Sequence, residues 1–195
     1  MILEGIITTL NARGTPNISP MGPDVDEQLN CFTLKPYRSS STYQNLKHNG
    51  QGVLHVVDDV ELLAHAAVKR LDPLPPLQPA SAINGVILSD ACRWYAFRVT
   101  ELDDSEERTR IACEVVDRGR LRDCFGFNRA KHAVVEAAIL ATRTAFLPAD
   151  EIRADFDRLA VIVEKTAGDQ ERRAFHFLRD FIDAEFAAKD TRDRK

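Results

Sequence analysis

The sequence predicts a mixed α+β protein, with an antiparallel β-barrel over residues 1–125 and a helical bundle over residues 126–195. Three observations predict it. Runs rich in β-branched residues or with alternating polarity recur at Ile2–Thr9, Gln28–Pro36, Gly52–Val57, Trp94–Leu102 and Arg108–Arg118. Short segments with helical spacing and hydroxyl or acidic caps lie between them. From Asn128 the period becomes that of amphipathic helices, interrupted only near Pro148 and Gly168. Strands in this number with short helices between them suit a barrel of mixed connectivity.

Each element follows from its residues. Ile2–Thr9 is a strand, and Asn11, Gly14 and Pro16 turn the chain after it. Asn17–Gly22 is extended, because Ser19 precedes a proline. Pro20 has no amide to donate, so this piece is an edge or irregular strand. Gly22–Glu27 is a loop before strand Gln28–Pro36. Ser39–Lys47 opens a short helix with hydroxyl caps, and His48-Asn49-Gly50 closes it. After strand Gly52–Val57, Asp58 and Asp59 start a helix over Val60–Arg70, with Leu62, Ala66 and Val68 on its apolar face. Residues 72–80 hold four prolines and read as a stiff loop. Trp94–Leu102 and Arg108–Arg118 form a hairpin across Asp103–Glu107. Lys131–Phe146, Pro148–Lys165 and Asp169–Lys189 are three helices of a small bundle.

Composition excludes some function classes. Acidic residues outnumber basic ones, 30 to 26, and no basic stripe is present, so no nucleic-acid partner is expected. The basic tail at Arg192, Arg194 and Lys195 alternates with acids and reads as a solvated end. Cys31, Cys92, Cys113 and Cys124 include no CxxC pair, so spacing gives no reason to expect a metal site. Reduced, buried thiols are the expectation. No membrane span and no targeting segment is expected, and the protein is placed in the cytoplasm.

Three segments could carry chemistry. In Lys35–Leu46 a strand ends, a cation appears at Arg38, and Ser39, Ser40, Ser41 and Thr42 open a helix. Free amides at a helix N-terminus favour a phosphate, and a guanidinium can bind one through two parallel hydrogen bonds. The plain alternative is that the serines only cap the helix and Arg38 is a surface cation. Asn17–Gly22 offers amide and hydroxyl groups on a strand that cannot pair fully, and could meet the edge of a flat heterocycle. A simple edge strand accounts for the same pattern. In Phe127–His132, Asn128 is a fair N-cap. Arg129, Lys131 and His132 then crowd the first turn, where the helix dipole disfavours cations. An anion or an acidic partner such as Glu136 would offset them.

At these segments the sequence resembles the protein family known as domain of unknown function 447. The resemblance runs through Glu4–Thr9, Asn17–Gly22, Thr33–Leu46, Val56–Val60 and Phe127–Ala130, in that order, ahead of a helical C-terminal part. It implies a flavin-reductase-like split β-barrel that binds FMN and forms a homodimer. It places Arg38, Ser39, Ser40, Thr42 and Asn45 near the phosphate and ribityl chain, and Tyr43 is counted with the cofactor-binding residues. Asn17, Ser19, Pro20 and Met21 fall near the flavin ring; apart from the resemblance, the cation cluster in the first turn of the helix makes Arg129, with its neighbour Asn128, a further candidate for the flavin site. The expected function, which the resemblance itself does not supply, is that of a flavin-dependent oxidoreductase of unknown substrate, with a nicotinamide as one candidate electron donor. A non-catalytic FMN carrier or sensor, and a structural dimer that has lost flavin, stay open as alternatives. No catalytic residue is assigned.

Overall fold

The computed structural model describes residues 1–193, so Arg194 and Lys195 of the basic tail lie outside the described residues. The chain divides into two compact units. One holds Met1–Asp58 and Pro73–Cys124, and the other holds Asp59–Asp72 with everything from Phe125 on.

The first unit is a curled antiparallel sheet of the split-barrel type. Its strands are β1 (Gly5–Leu10), β2 (Pro16–Met21), β3 (Asp24–Val25), β4 (Cys31–Leu34), β5 (Gln51–Val56), β8 (Arg93–Asp103) and β9 (Arg110–Arg120), in the order β2-β1-β5-β8-β9-β4-β3. Between β5 and β8, β6 (Leu77–Pro79) and β7 (Val86–Leu88) form a separate two-stranded ribbon. The proline-rich stretch was expected to be loop throughout. Leu77–Pro79 instead pairs with Val86–Leu88, which a two-stranded ribbon permits because a proline can turn its missing donor outward. Asp24–Val25, also expected as loop, pairs with Phe32 and Thr33.

Register shifts between Ala96 and Phe97 and between Val99 and Glu101 add bends to the long β8–β9 hairpin, as bulges do. Curling brings Ile7, Phe32, Leu34, Leu54, Phe97 and Ile111 into one core, with the Phe32 and Phe97 rings edge to face at 5.0 Å. Helix α1 (Ser41–Asn49) lays Tyr43 and Leu46 into the same core. It ends at Gly50, whose φ of 65° is the left-handed conformation that a glycine adopts without strain. Gly119 faces Trp94 across the hairpin, and a Cβ there would lie 2.6 Å from the indole.

His55 is fully buried on β5. The Leu88 amide donates to its Nε2 at 3.1 Å, so the ring proton sits on Nδ1 and is donated to Ile6 O at 3.1 Å. The neutral ring thus ties three strands together. Burial holds its pKa down, at about 4.

The second unit is helical: α2 (Val60–Ala67), α3 (Arg129–Ala141), α4 (Ala149–Thr166) and α5 (Asp169–Asp193). The three expected C-terminal helices are joined by a fourth, α2, drawn from the first 125 residues. Its buried Val60, Leu63 and Ala64 need an apolar partner, and it packs on α3 and α5. The Arg173 guanidinium donates to both Glu61 oxygens at 3.0 and 2.8 Å, and His65 stacks on Phe177 at 3.8 Å. Alanines at 130, 133, 137, 138 and 141 form, with Val134, the buried face of α3, which packs on α4 and α5. No helix among the described residues is long and apolar enough to cross a membrane.

Candidate functional site

The head of α1 is built by its own sequence. Ser40 is the N-cap, and its hydroxyl accepts from the Tyr43 amide at 3.2 Å. The amides of Ser41 and Thr42, the other donors of the first turn, have no acceptor among the described residues. No acidic residue occupies that turn. The positive end of the helix is therefore open to an anion. Arg38 stands just before it, exposed, and forms no ion pair among the described residues. Its backbone is fixed at both ends: its amide donates to Glu107 O at 3.0 Å, and its carbonyl accepts from Gln44 Nε2 at 2.9 Å.

Strand β2 meets this helix through a small polar network. Asn17 Nδ2 donates to Thr42 Oγ1 at 3.1 Å and to Thr9 Oγ1 at 3.4 Å, while Asn45 Nδ2 donates to Thr9 Oγ1 at 2.9 Å. Thr9, Thr42 and Asn45 are buried, so these bonds satisfy groups that would otherwise destabilise the fold by roughly 1–3 kcal/mol each. Both amide nitrogens are used in this way. The Asn17 and Asn45 oxygens, which accept from no protein donor among the described residues, are left to the space beside them.

That space is a cavity of about 360 Å³. The β1–β2 turn lines it with Asn11, Thr15, Pro16 and Asn17, and the head of α1 with Ser39, Ser41, Gln44 and Asn45. The lining is polar and carries no charged side chain. It falls within the size range of small-ligand sites, roughly 300–1,000 Å³.

The expected site residues thus fall into groups. Asn17, Ser39 and Asn45 line the cavity, and Ser40 and Thr42 build its wall from behind. Ser19, Pro20 and Met21 continue along β2, half-buried; β2 ends the sheet, and among the described residues no strand pairs with its outer edge. Tyr43 is not brought to the cavity. Its ring lies in the barrel core and its hydroxyl donates to Asp104 Oδ2 at 2.6 Å, because on a helix the residue after Thr42 turns toward a different face. Lys47 bonds the same carboxylate at 2.6 Å, and with Tyr43 it holds the Asp104 carboxyl down to about 2.

Asn128 and Arg129 belong to the helical unit. The Asn128 side chain is engaged at both ends: Oδ1 accepts from the Lys131 amide at 3.0 Å, and Nδ2 donates to Thr166 O at 3.3 Å. Arg129 is exposed. Lys131 pairs with Glu171 of α5 at 2.9 Å.

Ser41, one of the hydroxyls expected at the head of the helix, also lines the cavity, whereas Asn11, Thr15 and Gln44 line it but were not singled out as site residues from sequence. Gln44 was legible as the residue one turn after Ser40 and Ser41. Thr8 and Thr9 are both buried polar positions of β1, and nothing in the sequence says which of them receives Asn17 and Asn45. Asn11 accepts from the amides of Arg13 and Thr15 at 2.9 Å each, an arrangement of the turn that no spacing announced.

Two family models, described as the N-terminal domain and the remainder of the protein of unknown function DUF447, match residues 3–122 and 128–180. The chain belongs to the DUF447 family. Among solved structures, this DUF447 protein is similar to the FMN-bound protein MM1853 from Methanosarcina mazei, with a TM-score of 0.78 and 20% identity over 92% of this chain and 94% of that one. It is also similar to the 2-nitrobenzoate 2-nitroreductase NbaA of Pseudomonas fluorescens, with a TM-score of 0.52 and 17% identity over 60% of this chain and 64% of that one. Flavoredoxin from Methanosarcina acetivorans follows, with a TM-score of 0.53 and 12% identity over 61% and 68%. These likenesses establish the flavin-reductase type of barrel. No curated protein matches the chain.

Proposed function

We propose that this protein binds FMN at the head of α1 and along β2, and that it is a flavin-dependent oxidoreductase. The observation that carries the reading is the junction of these two elements. A helix N-terminus with two unused amides stands beside a strand edge, across a neutral polar cavity. The FMN-bound relative of the same fold supports it.

The residues present fit such a cofactor. The amides of Ser41 and Thr42 and the hydroxyls of Ser39 and Ser41 are donors for a phosphate, and Arg38 supplies an exposed charge beside them. The oxygens of Asn17 and Asn45 are acceptors for the hydroxyls of a ribityl chain. The open edge along Ser19, Pro20 and Met21 can lie against the flat ring. When bound, FMN supplies the redox chemistry, accepting and passing on electrons. The chain binds and orients it. The crowding of Arg129, Lys131 and His132 in the first turn of α3 makes Arg129 a further cation for the flavin phosphate or an anionic substrate, and a homodimer and a nicotinamide donor belong to the same reading.

Titration of the apo-protein with FMN and with riboflavin tests the proposal. FMN should bind at least tenfold more tightly. Equal affinities would remove the phosphate from the head of α1. Bleaching of the bound flavin by NADH or NADPH separates an oxidoreductase from a carrier.

A further inference from the structure

A second cluster of reactive side chains lies in the barrel unit and plays no part in the flavin reading. Asp58, Cys92 and Cys124 come from three segments more than 30 residues apart, yet their ligand atoms all lie within 4.8 Å of one another. We propose that they bind a divalent transition metal of the zinc type through two thiolates and one carboxylate.

The backbone fixes the cluster. The Cys92 amide donates to Val56 O at 2.9 Å, and the Cys92 carbonyl accepts from the Leu121 amide at 3.0 Å and the Arg122 amide at 3.3 Å. These bonds hold the end of β5, the start of β8 and the end of β9 together. The Asp58 side chain, only 9% exposed, receives the Arg122 guanidinium on both oxygens.

Distance and charge both suit a metal. Tetrahedral zinc holds sulfur at about 2.3 Å, so two coordinated sulfurs stand about 3.8 Å apart. The cluster must therefore close by no more than about 1 Å. Two thiolates and Asp58 carry three negative charges. A divalent cation and Arg122 carry three positive charges, and the loaded site is neutral. Cys124 is exposed, which gives the ion an entry path and leaves a fourth position for water. Binding releases the two thiol protons to solvent. Soft thiolate ligands select zinc over magnesium or calcium. Cys113 provides the contrast. It is a packing thiol, buried among the apolar residues of the barrel core, with no carboxylate or cation in its cluster.

Cobalt reports on this site because its spectrum identifies the ligands. The reduced full-length protein should take up one equivalent of Co²⁺, with thiolate-to-cobalt absorption in the near ultraviolet and the visible bands of tetrahedral cobalt. One equivalent of Zn²⁺ should bleach both. Cys92→Ser and Cys124→Ser should each lose the two-thiolate spectrum, and Cys31→Ser should keep it. Asp58→Asn should weaken Co²⁺ binding at least tenfold. A wild-type titration without thiolate absorption would overturn the proposal, and needs no variant to fold. So would an unchanged spectrum in both cysteine variants, or recovery of Cys92 and Cys124 joined as a disulfide from freshly purified protein. None of these readouts depends on flavin.

Discussion

Acid should destabilise this protein through a single histidine. His55 is fully buried and neutral, with Nδ1–H donated to Ile6 O and Nε2 accepting from the Leu88 amide. Protonation would place a second N–H against the Leu88 N–H and a charge in the core. The folded protein therefore resists the proton, and the pKa lies at about 4 instead of its ordinary 6.5. In the unfolded chain the proton binds freely below about pH 6.5. His55 thus contributes stability that is fully present above that value and is lost as pH falls toward 4. The full shift corresponds to about 3 kcal/mol, of which about 2 kcal/mol is lost between about pH 7 and about pH 5. Carboxylates titrate nearby, so the measurement is a difference. Urea unfolding of the wild type and of His55→Gln, which cannot titrate, should give stabilities whose gap narrows by about 2 kcal/mol over that range. Parallel pH curves for the two proteins would refute the assignment of a neutral, doubly bonded ring.

Other outcomes follow from the same geometry. Arg38→Ala should weaken FMN binding by roughly 1–3 kcal/mol in a fluorescence titration and leave riboflavin binding unchanged, the signature of a lost charge-assisted bond to phosphate. Arg129→Ala, at an exposed position, should change apo stability by no more than about 0.5 kcal/mol while lowering FMN affinity; unchanged affinity would remove Arg129 from the site. Lys131→Met should cost roughly 1–3 kcal/mol in thermal unfolding, because it strands Glu171, which is only 8% exposed, without its cation. Burial pushes the Glu171 carboxyl up, but Lys131 and the Gly168 amide outweigh this and hold it below the ordinary range, so the loss should fade under acid. Light scattering at micromolar concentration should give the mass of a homodimer, and a monomer would count against the proposed assembly.

Much of the fold was legible because local signals agreed with the tertiary outcome. Trp94–Leu102 and Arg108–Arg118 alternate and pair as the core of β8 and β9. Ser40, Asp59 and Asn128 stand at the N-caps their chemistry favours, and each accepts a first-turn amide. What was hidden depends on partners distant in sequence. β3 and the β6–β7 ribbon are only two or three residues long, too short for periodicity to register. Helix α2 was legible as a helix, but its membership of the helical unit was not. An apolar stripe such as Val60, Leu63 and Ala64 states that a helix must be covered, and says nothing of which residues cover it.

The candidate site divides along the same line. Ser39–Thr42 could be found because a helix N-terminus is a local object with a local signature. Tyr43 sits inside the same motif, and nothing in the motif says which face of the helix looks at the cavity. That is decided by Asp104, 61 residues away, which takes the phenol, and by a core that takes the ring. Thr9 was equally hidden, since its role is to receive the amides of Asn17 and Asn45 and so turn their oxygens outward. Asp58, Cys92 and Cys124 push the point further. Spacing rules find metal sites whose ligands lie on one short loop or helix. Three ligands carried by a strand end, a turn and a chain exit leave no such pattern, so only the folded sheet can bring the two thiols and the carboxylate within reach of one ion.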